Sequence, residues 1–368
     1  MFNKIICIFT LKILIMALDR SNKLMLFPKI GKTIIVVVAI AFIFAGIRGY
    51  KFFRYIFAEN VKHDSILIVP QDATFDQVID SLKVRDVLIS LRAFTWVANK
   101  KEYPGHIRPG YYLLEKGMNN NNLVNMLRIG KQHPVKVTFN NIRFKGQFAE
   151  HISKYIAADS AEIMKLFSDT ALIHEFGFTP ETFKAMFIPN TYEIYWTTTP
   201  ENFARRMKVE YENFWNQSRR EKAAAIGLSP VQVSILASIV QEETVKKDEK
   251  PIVAGVYINR LKRGIPLQAD PTIKYVIGDF SIQRVLNSYL EVDSPYNTYK
   301  YAGLPPGPIN FPEVSSIDAV LNYKKSNYLF MCAKDDFSGY HNFSSTLEEH
   351  NRNAEKYRMA LNENNIFK

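Results

Sequence analysis

Fifteen consecutive residues, Thr33–Ile47 (TIIVVVAIAFIFAGI), carry no charge, and nothing else in the sequence narrows the fold as much. At about 1.5 Å per helical residue the run covers about 22 Å, short of the ~30 Å hydrocarbon thickness of a bilayer. Residues 31–50 make it twenty, with Lys32 and Arg48 able to snorkel and Tyr50, Phe52, Phe53 and Tyr55 forming an interfacial aromatic belt. A core helix would lack these flanking charges. A cleaved signal peptide would be followed by a small-residue cleavage site, and none follows. A single uncleaved transmembrane helix at 31–50 is therefore expected.

The chain has 368 residues and 47 basic against 36 acidic side chains, a net charge of +11. Lys4, Lys12, Arg20, Lys23, Lys29 and Lys32 face one acid, Asp19, in the first 32 residues. Much of the excess is thus a topology signal, placing a basic tail, 1–30, in the cytoplasm and the rest outside. The apolar start Met1–Ala17 reads as a weak amphipathic helix or as an upstream start before Met16 or Met25. Cys7 and Cys332 then lie on opposite sides of the membrane, which excludes an intrachain disulfide and a Cys-based zinc cluster. No nucleic-acid recognition motif is present, and nucleic acid is not an expected partner.

Beyond the span, a small α+β module is expected over 62–139: strand Ser65–Val69, helices Phe75–Leu82 and Val87–Ala98, strand Ile107–Leu114, helix Leu123–Ile129 and a closing strand Pro134–Phe139. Thr74-x-x-Gln77 is a capping box and the Asn run 119–122 a helix start. With no catalytic cluster, the module reads as a glycan or partner binder, or as a spacer. Residues 140–368 form a larger, mainly helical α+β domain, with helices at Gly146–Ala157, Ala161–Ser168, Pro200–Gln217, Ser229–Lys246, Pro251–Lys262 and Thr346–Asn362. The stretch from Gly264 to Asn342 is rich in Pro, Gly, Tyr and Asn, and loops this long in compact domains are commonly functional surfaces.

Ser229-Pro230 opens the helix of greatest interest. On a wheel of about 100° per residue its apolar face centres near +60°, and Glu243 falls at about +80°. Gln241 points away and Glu242 lies on the flank. An inward carboxylate is costly to ionise, so its pKa should rise, as a general acid requires. An inward Glu near a helix end also commonly caps a neighbour or pairs with a base, so this feature alone only suggests catalysis.

Four ordered blocks, SILASIVQEET (234–244), VAGVYINRLKRGIPLQADPTIKY (253–275), SPYNTYKYAGLPPGPI (294–309) and HNFSSTLEEHN (341–351), resemble the YceG-like family, as does FIPNTYEIYW (187–196) upstream. The resemblance runs from about Ser65 to the C-terminus. It implies a single-pass protein of the bacterial inner membrane with a LysM-like module and an outer catalytic domain. It also implies a lytic transglycosylase that cuts peptidoglycan strands between N-acetylmuramic acid and N-acetylglucosamine, leaves a 1,6-anhydro end and so terminates strand growth. The family's catalytic Glu precedes Thr in the helix motif, which is Glu243 here. Asn190 stands where many members carry Asp, so a second acid there cannot be essential. Gln241 replaces an acid of some relatives, with little effect expected.

One carboxylate suffices for this reaction because the sugar's own 6-hydroxyl is the nucleophile, whereas a hydrolase usually needs two. Gln268, Asn297, Tyr296 and His341 are the candidate substrate contacts; Asp270-Pro271 and Ser294-Pro295 also favour turns, and Asp270 is expected to cap a short helix. Tyr299 and Tyr301 are weaker stacking candidates, and Leu304–Pro308 is expected to fix a cleft wall. His350 is expected to anchor the last helix. No cofactor or metal is implied; the nine-residue spacing of His341 and His350 does not repeat a helical face. Partners are the glycan strands, the membrane and peptidoglycan synthases. The alternative is a non-catalytic scaffold binding glycan or a synthase. An ordinary glycan hydrolase ranks third.

Overall fold

The computed structural model describes residues 29–282 and 285–364. Residues 1–28, with Cys7 and the alternative starts, lie outside the described residues. The chain divides into two compact units. The smaller takes in the chain to Leu67, then Ala73–Arg108 and Tyr112–Lys131; the larger takes in Ile68–Asp72, Pro109–Tyr111 and everything from Gln132.

The apolar run lies in helix α1, Lys29–Phe57, longer than the expected 31–50 because no breaker interrupts the aromatic-rich stretch behind it. Its portion Val36–Phe57 is long and apolar enough to cross a membrane. The Phe52 ring stacks on Trp96 at 4.9 Å and Asn120 donates to the Tyr55 carbonyl at 2.8 Å, so the end of α1 is fixed to the small unit.

Strand β1 (Ser65–Val69) pairs with β2 (Gly110–Leu114). Between them come helices α2 (Phe75–Val84) and α3 (Leu91–Lys100), and α4 (Asn120–Ile129) follows. The Thr74 box forms both of its bonds, Gln77 N–H to Thr74 Oγ1 at 3.3 Å and Thr74 N–H to Gln77 Oε1 at 2.8 Å. Asn119 caps α4 through the Asn122 N–H at 2.9 Å. The second helix starts at Leu91, later than the expected Val87, because Ser90 is its cap. The strand expected to close this module does not: β3 (Val135–Thr138) pairs antiparallel with β4 (Thr191–Ile194), which belongs to the larger unit. Periodicity gave a correct strand, but its partner lies more than fifty residues away and is invisible to local pattern.

Among the described residues, the larger unit is an all-round helical packing with two small antiparallel ladders. Helices α5 (Lys145–Ile152), α6 (Ser160–Lys165), α7 (Thr170–Glu175), α8 (Pro200–Phe214) and α9 (Gln217–Ala225) precede the central α10, Pro230–Glu243. The single helix expected over Pro200–Gln217 ends at Phe214, and Asn216 caps α9 instead. A cluster of rings including Phe148, Phe187, Phe203 and Phe311 fills the core, with Phe148 and Phe311 stacked at 4.7 Å.

Helix α10 is buried from Val233 through Val240 without interruption. It is therefore wrapped on all sides rather than amphipathic, and the wheel described a face that packing does not use. Its two buried serines are satisfied: Ser234 Oγ donates to the Pro230 carbonyl, while Ser238 Oγ donates to the Ile235 carbonyl and accepts the Ile309 N–H. Around it lie α11 (Lys250–Lys262), α12 (Asp270–Ile277) and α14 (Val314–Leu321), with the short α13 (Asn287–Leu290) between the last two. The ladder β5 (Phe330–Ala333) to β6 (His341–Ser344) and the final helix α15, Leu347–Glu363, complete the unit.

Candidate active site

Thr244 turns extended at φ −145°, and this ends α10 on Glu243. The Glu243 carboxyl reaches a cavity of about 410 Å³ lined also by Tyr257 and Arg260 of α11, Gln268, Asp270, Tyr299, Cys332 and His341 on the β5–β6 ladder, and His350 of α15. The Tyr257 hydroxyl donates to Glu243 Oε2 at 3.1 Å. Burial raises the Glu243 pKa above its ordinary value, and the neighbouring Asp270 carboxylate adds to this, while His341 and the Tyr257 bond oppose it. The negative end of the α10 dipole works in the same direction as burial.

Each neighbour is held in place. Glu249, only 2% exposed, receives the His341 backbone N–H at 2.7 Å, lies 2.8 Å from His341 Nδ1 and accepts the Thr244 hydroxyl at 3.0 Å. Bonding of Nδ1 to the carboxylate leaves Nε2 as the free ring nitrogen of His341. The Arg260 guanidinium bonds the Pro266 and Leu329 carbonyls, each at 2.9 Å, and the Gln268 side chain, all neutral acceptors; burial lowers its pKa. Gln268 is left-handed at φ 51°, a strained conformation for a side chain of its type, and Thr298 grips it through the carbonyl that accepts its N–H. The Tyr299 hydroxyl donates to Asp270.

The expected residues divide. Glu243, Gln268 and His341 meet at the cavity. Asn297 does not: it is fully buried, donates to the Leu290 and Val292 carbonyls at 2.8 Å and accepts the Tyr299 N–H, so it shapes the loop. Tyr296 also lies off the cavity, its ring 5.0 Å from that of Tyr275. Asp270 is not a cap; it occupies the first turn of α12 behind an uncapped Ala269 and turns its carboxylate to Tyr299 and the cavity. Leu304–Pro308 does not line the cavity; Gly307 instead abuts the Glu181 carbonyl, where a Cβ would come within 2.0 Å. Tyr301 is exposed and bonds Asp293.

Gln241 does not point to solvent. It is half-buried and its side-chain oxygen accepts the Glu313 N–H at 2.7 Å. Glu242 is paired with Arg143 at 2.9 Å and accepts from Asn310 at 2.8 Å. Gln241 and Glu242 are thus tied to partners away from the cavity, and of the three adjacent polar residues Glu243 alone lines it. His350 does more than anchor α15. Its ring stacks on Phe330 at 5.3 Å, its Nδ1 is buried without a partner, and burial lowers its pKa.

Sequence reasoning missed Glu249, Tyr257, Arg260 and Cys332. Tyr257 and Arg260 stand three apart and so share a helix face, a signal that was available. Glu249 carried none, because its role depends on a residue 92 positions away. Among the described residues no three His, Cys, Asp or Glu side chains converge as a metal set.

The model of the YceG-like family matches residues 67–356. An endolytic murein transglycosylase of Bacillus subtilis is 29% identical over 310 residues, covering 80% of this chain and 85% of that one. One from Streptococcus pneumoniae is 25% identical over 367 residues, and the match takes in 89% of this chain but 65% of the longer relative. A crystal structure of a yceG-like protein from Listeria monocytogenes aligns with a TM-score of 0.52 at 27% identity, covering 79% of this chain and 99% of that one.

Proposed function

The chain belongs to the YceG-like family, and we propose that it is an endolytic peptidoglycan lytic transglycosylase in which Glu243 is the catalytic acid and base. The observation that carries this reading is the Glu243 carboxyl, which burial and Asp270 keep toward its protonated form on an open cavity wall. Protonated Glu243 donates to the glycosidic oxygen between N-acetylmuramic acid and N-acetylglucosamine as that bond breaks. The carboxylate so formed takes the proton of the 6-hydroxyl as its oxygen closes on C1 to give the 1,6-anhydro end. The intramolecular nucleophile replaces a positioned water.

The Tyr257 hydroxyl steadies the carboxylate between the two transfers. Gln268, its side chain locked by Arg260, and His341, oriented by Glu249, are the sugar contacts. The order strand, two helices, strand over Ser65–Leu114 supports a LysM-like glycan binder. Helix α1 serves as a single membrane span with the N-terminus cytoplasmic and both units outside. In that position the enzyme meets nascent strands beside their synthases and terminates them.

Mass analysis of digested glycan strands tests the reading. Wild type yields anhydro-ended products, and Glu243→Gln, still folded, yields about 10²- to 10⁴-fold less. Undiminished activity in that variant refutes the assignment. Asp270 favours one second reading, because two carboxylates in one cavity are also the equipment of a hydrolase. Products one water heavier than the anhydro form would select hydrolysis.

A further inference from the structure

The end of α1 and the facing side of α3 enclose a second cavity, of about 740 Å³, within the small unit. Arg48, Lys51, Phe52 and Tyr55 supply one wall and Arg92 and Trp96 the other. On α1 these residues recur at spacings of three and four, so one helical face carries two cations and two rings. Phe52 stacks on Trp96 with the planes 15° apart, and Tyr55 meets the same indole edge-on at 6.0 Å, which makes an aromatic floor.

Among the described residues Arg48, Lys51 and Arg92 form no ion pair. Among the described residues of the small unit the one ion pair is Lys62 with Asp86, at 2.5 Å. Arg48 lies over the Phe44 ring at 5.0 Å and Lys51 over the Tyr55 ring at 5.7 Å. No carboxylate lines this cavity; Glu59 lines the adjoining one, with Lys51 and Arg54. Three exposed cations converging on a ring-floored cleft need an anion. With the uncharged run Thr33–Ile47 as the part of α1 in the hydrocarbon, Arg48 is the first residue beyond it and the cleft opens at the depth of the lipid phosphates.

We infer that this cleft is a binding site for the phosphate headgroup of an anionic phospholipid of the membrane that α1 spans. The phosphate sits among Arg48, Lys51 and Arg92, and the glycerol backbone lies along Phe52 and Trp96. The cations act on the side where topology rules do not call for positive charge, which sets this site apart from the basic tail. The inference rests on the reading of α1 as a membrane span.

The test uses the full chain with mixed vesicles of phosphatidylcholine and phosphatidylglycerol, followed by flotation and by mass analysis of lipid retained in detergent. Wild type floats and retains phosphatidylglycerol in preference to phosphatidylcholine. Lys51→Gln and Arg92→Gln each lower that preference about fivefold, and together about twenty-fivefold, while both variants still float. Lys62→Gln, whose ammonium is already paired, keeps the preference. A wild type that floats without preferring phosphatidylglycerol, or a Lys62→Gln variant that loses as much, overturns the site and leaves the span intact. A chain that does not float overturns the span reading and this inference with it.

Discussion

His341 Nδ1 lies 2.8 Å from a carboxylate oxygen of Glu249, and the other oxygen of that carboxylate receives the His341 backbone N–H at 2.7 Å. A buried acid therefore fixes both the ring and the strand that carries it. Replacing Glu249 by Gln removes a charge-assisted bond of about 1.5–3 kcal/mol and frees the ring to turn. Turnover should fall by about 10- to 100-fold with a smaller change in KM. Steady-state kinetics on isolated strands measures this, and His341→Gln should fall at least as far.

The pH profile should report Glu243. Its raised pKa keeps it protonated above the usual carboxylate range, so activity falls on the alkaline side as pH rises through that value. Asp270 raises the value, so Asp270→Asn moves the alkaline limb to lower pH. His341 lowers it, so His341→Gln moves the limb to higher pH in whatever activity remains. Opposite displacements in kcat/KM against pH are the expected result, and a common direction would contradict the electrostatics.

The same carboxyl costs stability. Unfolded, it loses its proton near 4.5, whereas the folded chain holds the proton to higher pH. Between those two values the folded state binds more protons, so stability falls as pH rises and stays lower above the folded value. Glu243→Gln cannot ionise and escapes this loss. Its Tm should match wild type below about pH 4 and exceed it at neutral pH, as thermal unfolding across pH will show.

Gly255 sits where α11 passes the Lys324 backbone, and a Cβ there would come within 2.5 Å of the Lys324 carbonyl oxygen. Lys324 N–H in turn bonds the Pro251 carbonyl at 2.8 Å, so the loop cannot easily retreat. Gly255→Ala should cost about 1–3 kcal/mol by overpacking, or about 2–4 °C of Tm for each kcal/mol. Because α11 carries Tyr257 and Arg260, activity should decline at temperatures where the variant is still folded.

Much of the chain was legible where local chemistry decides. The uncharged run, the Thr74 box, the Asn119 cap and the Ser229-Pro230 start are short-range features, and each forms its element in the structure. The wheel pointed at Glu243 although α10 is buried all round; the last turn, not the face, gives Glu243 its setting. Asn297 turns into its own loop and Asp270 toward the cavity rather than capping its helix, because side chains in a proline-rich loop find partners that no spacing rule specifies.

By itself, then, the sequence determined the apolar helix, the family blocks and the acid at the end of α10, since length, capping and composition act within a few residues. Tertiary structure alone decided the rest. It paired β3 with β4, gave Gln241 and Glu242 partners that leave Glu243 alone at the cavity, and brought Glu249 to His341 across 92 positions of chain. Burial and long-range hydrogen bonding set those outcomes, and both depend on the whole packed unit.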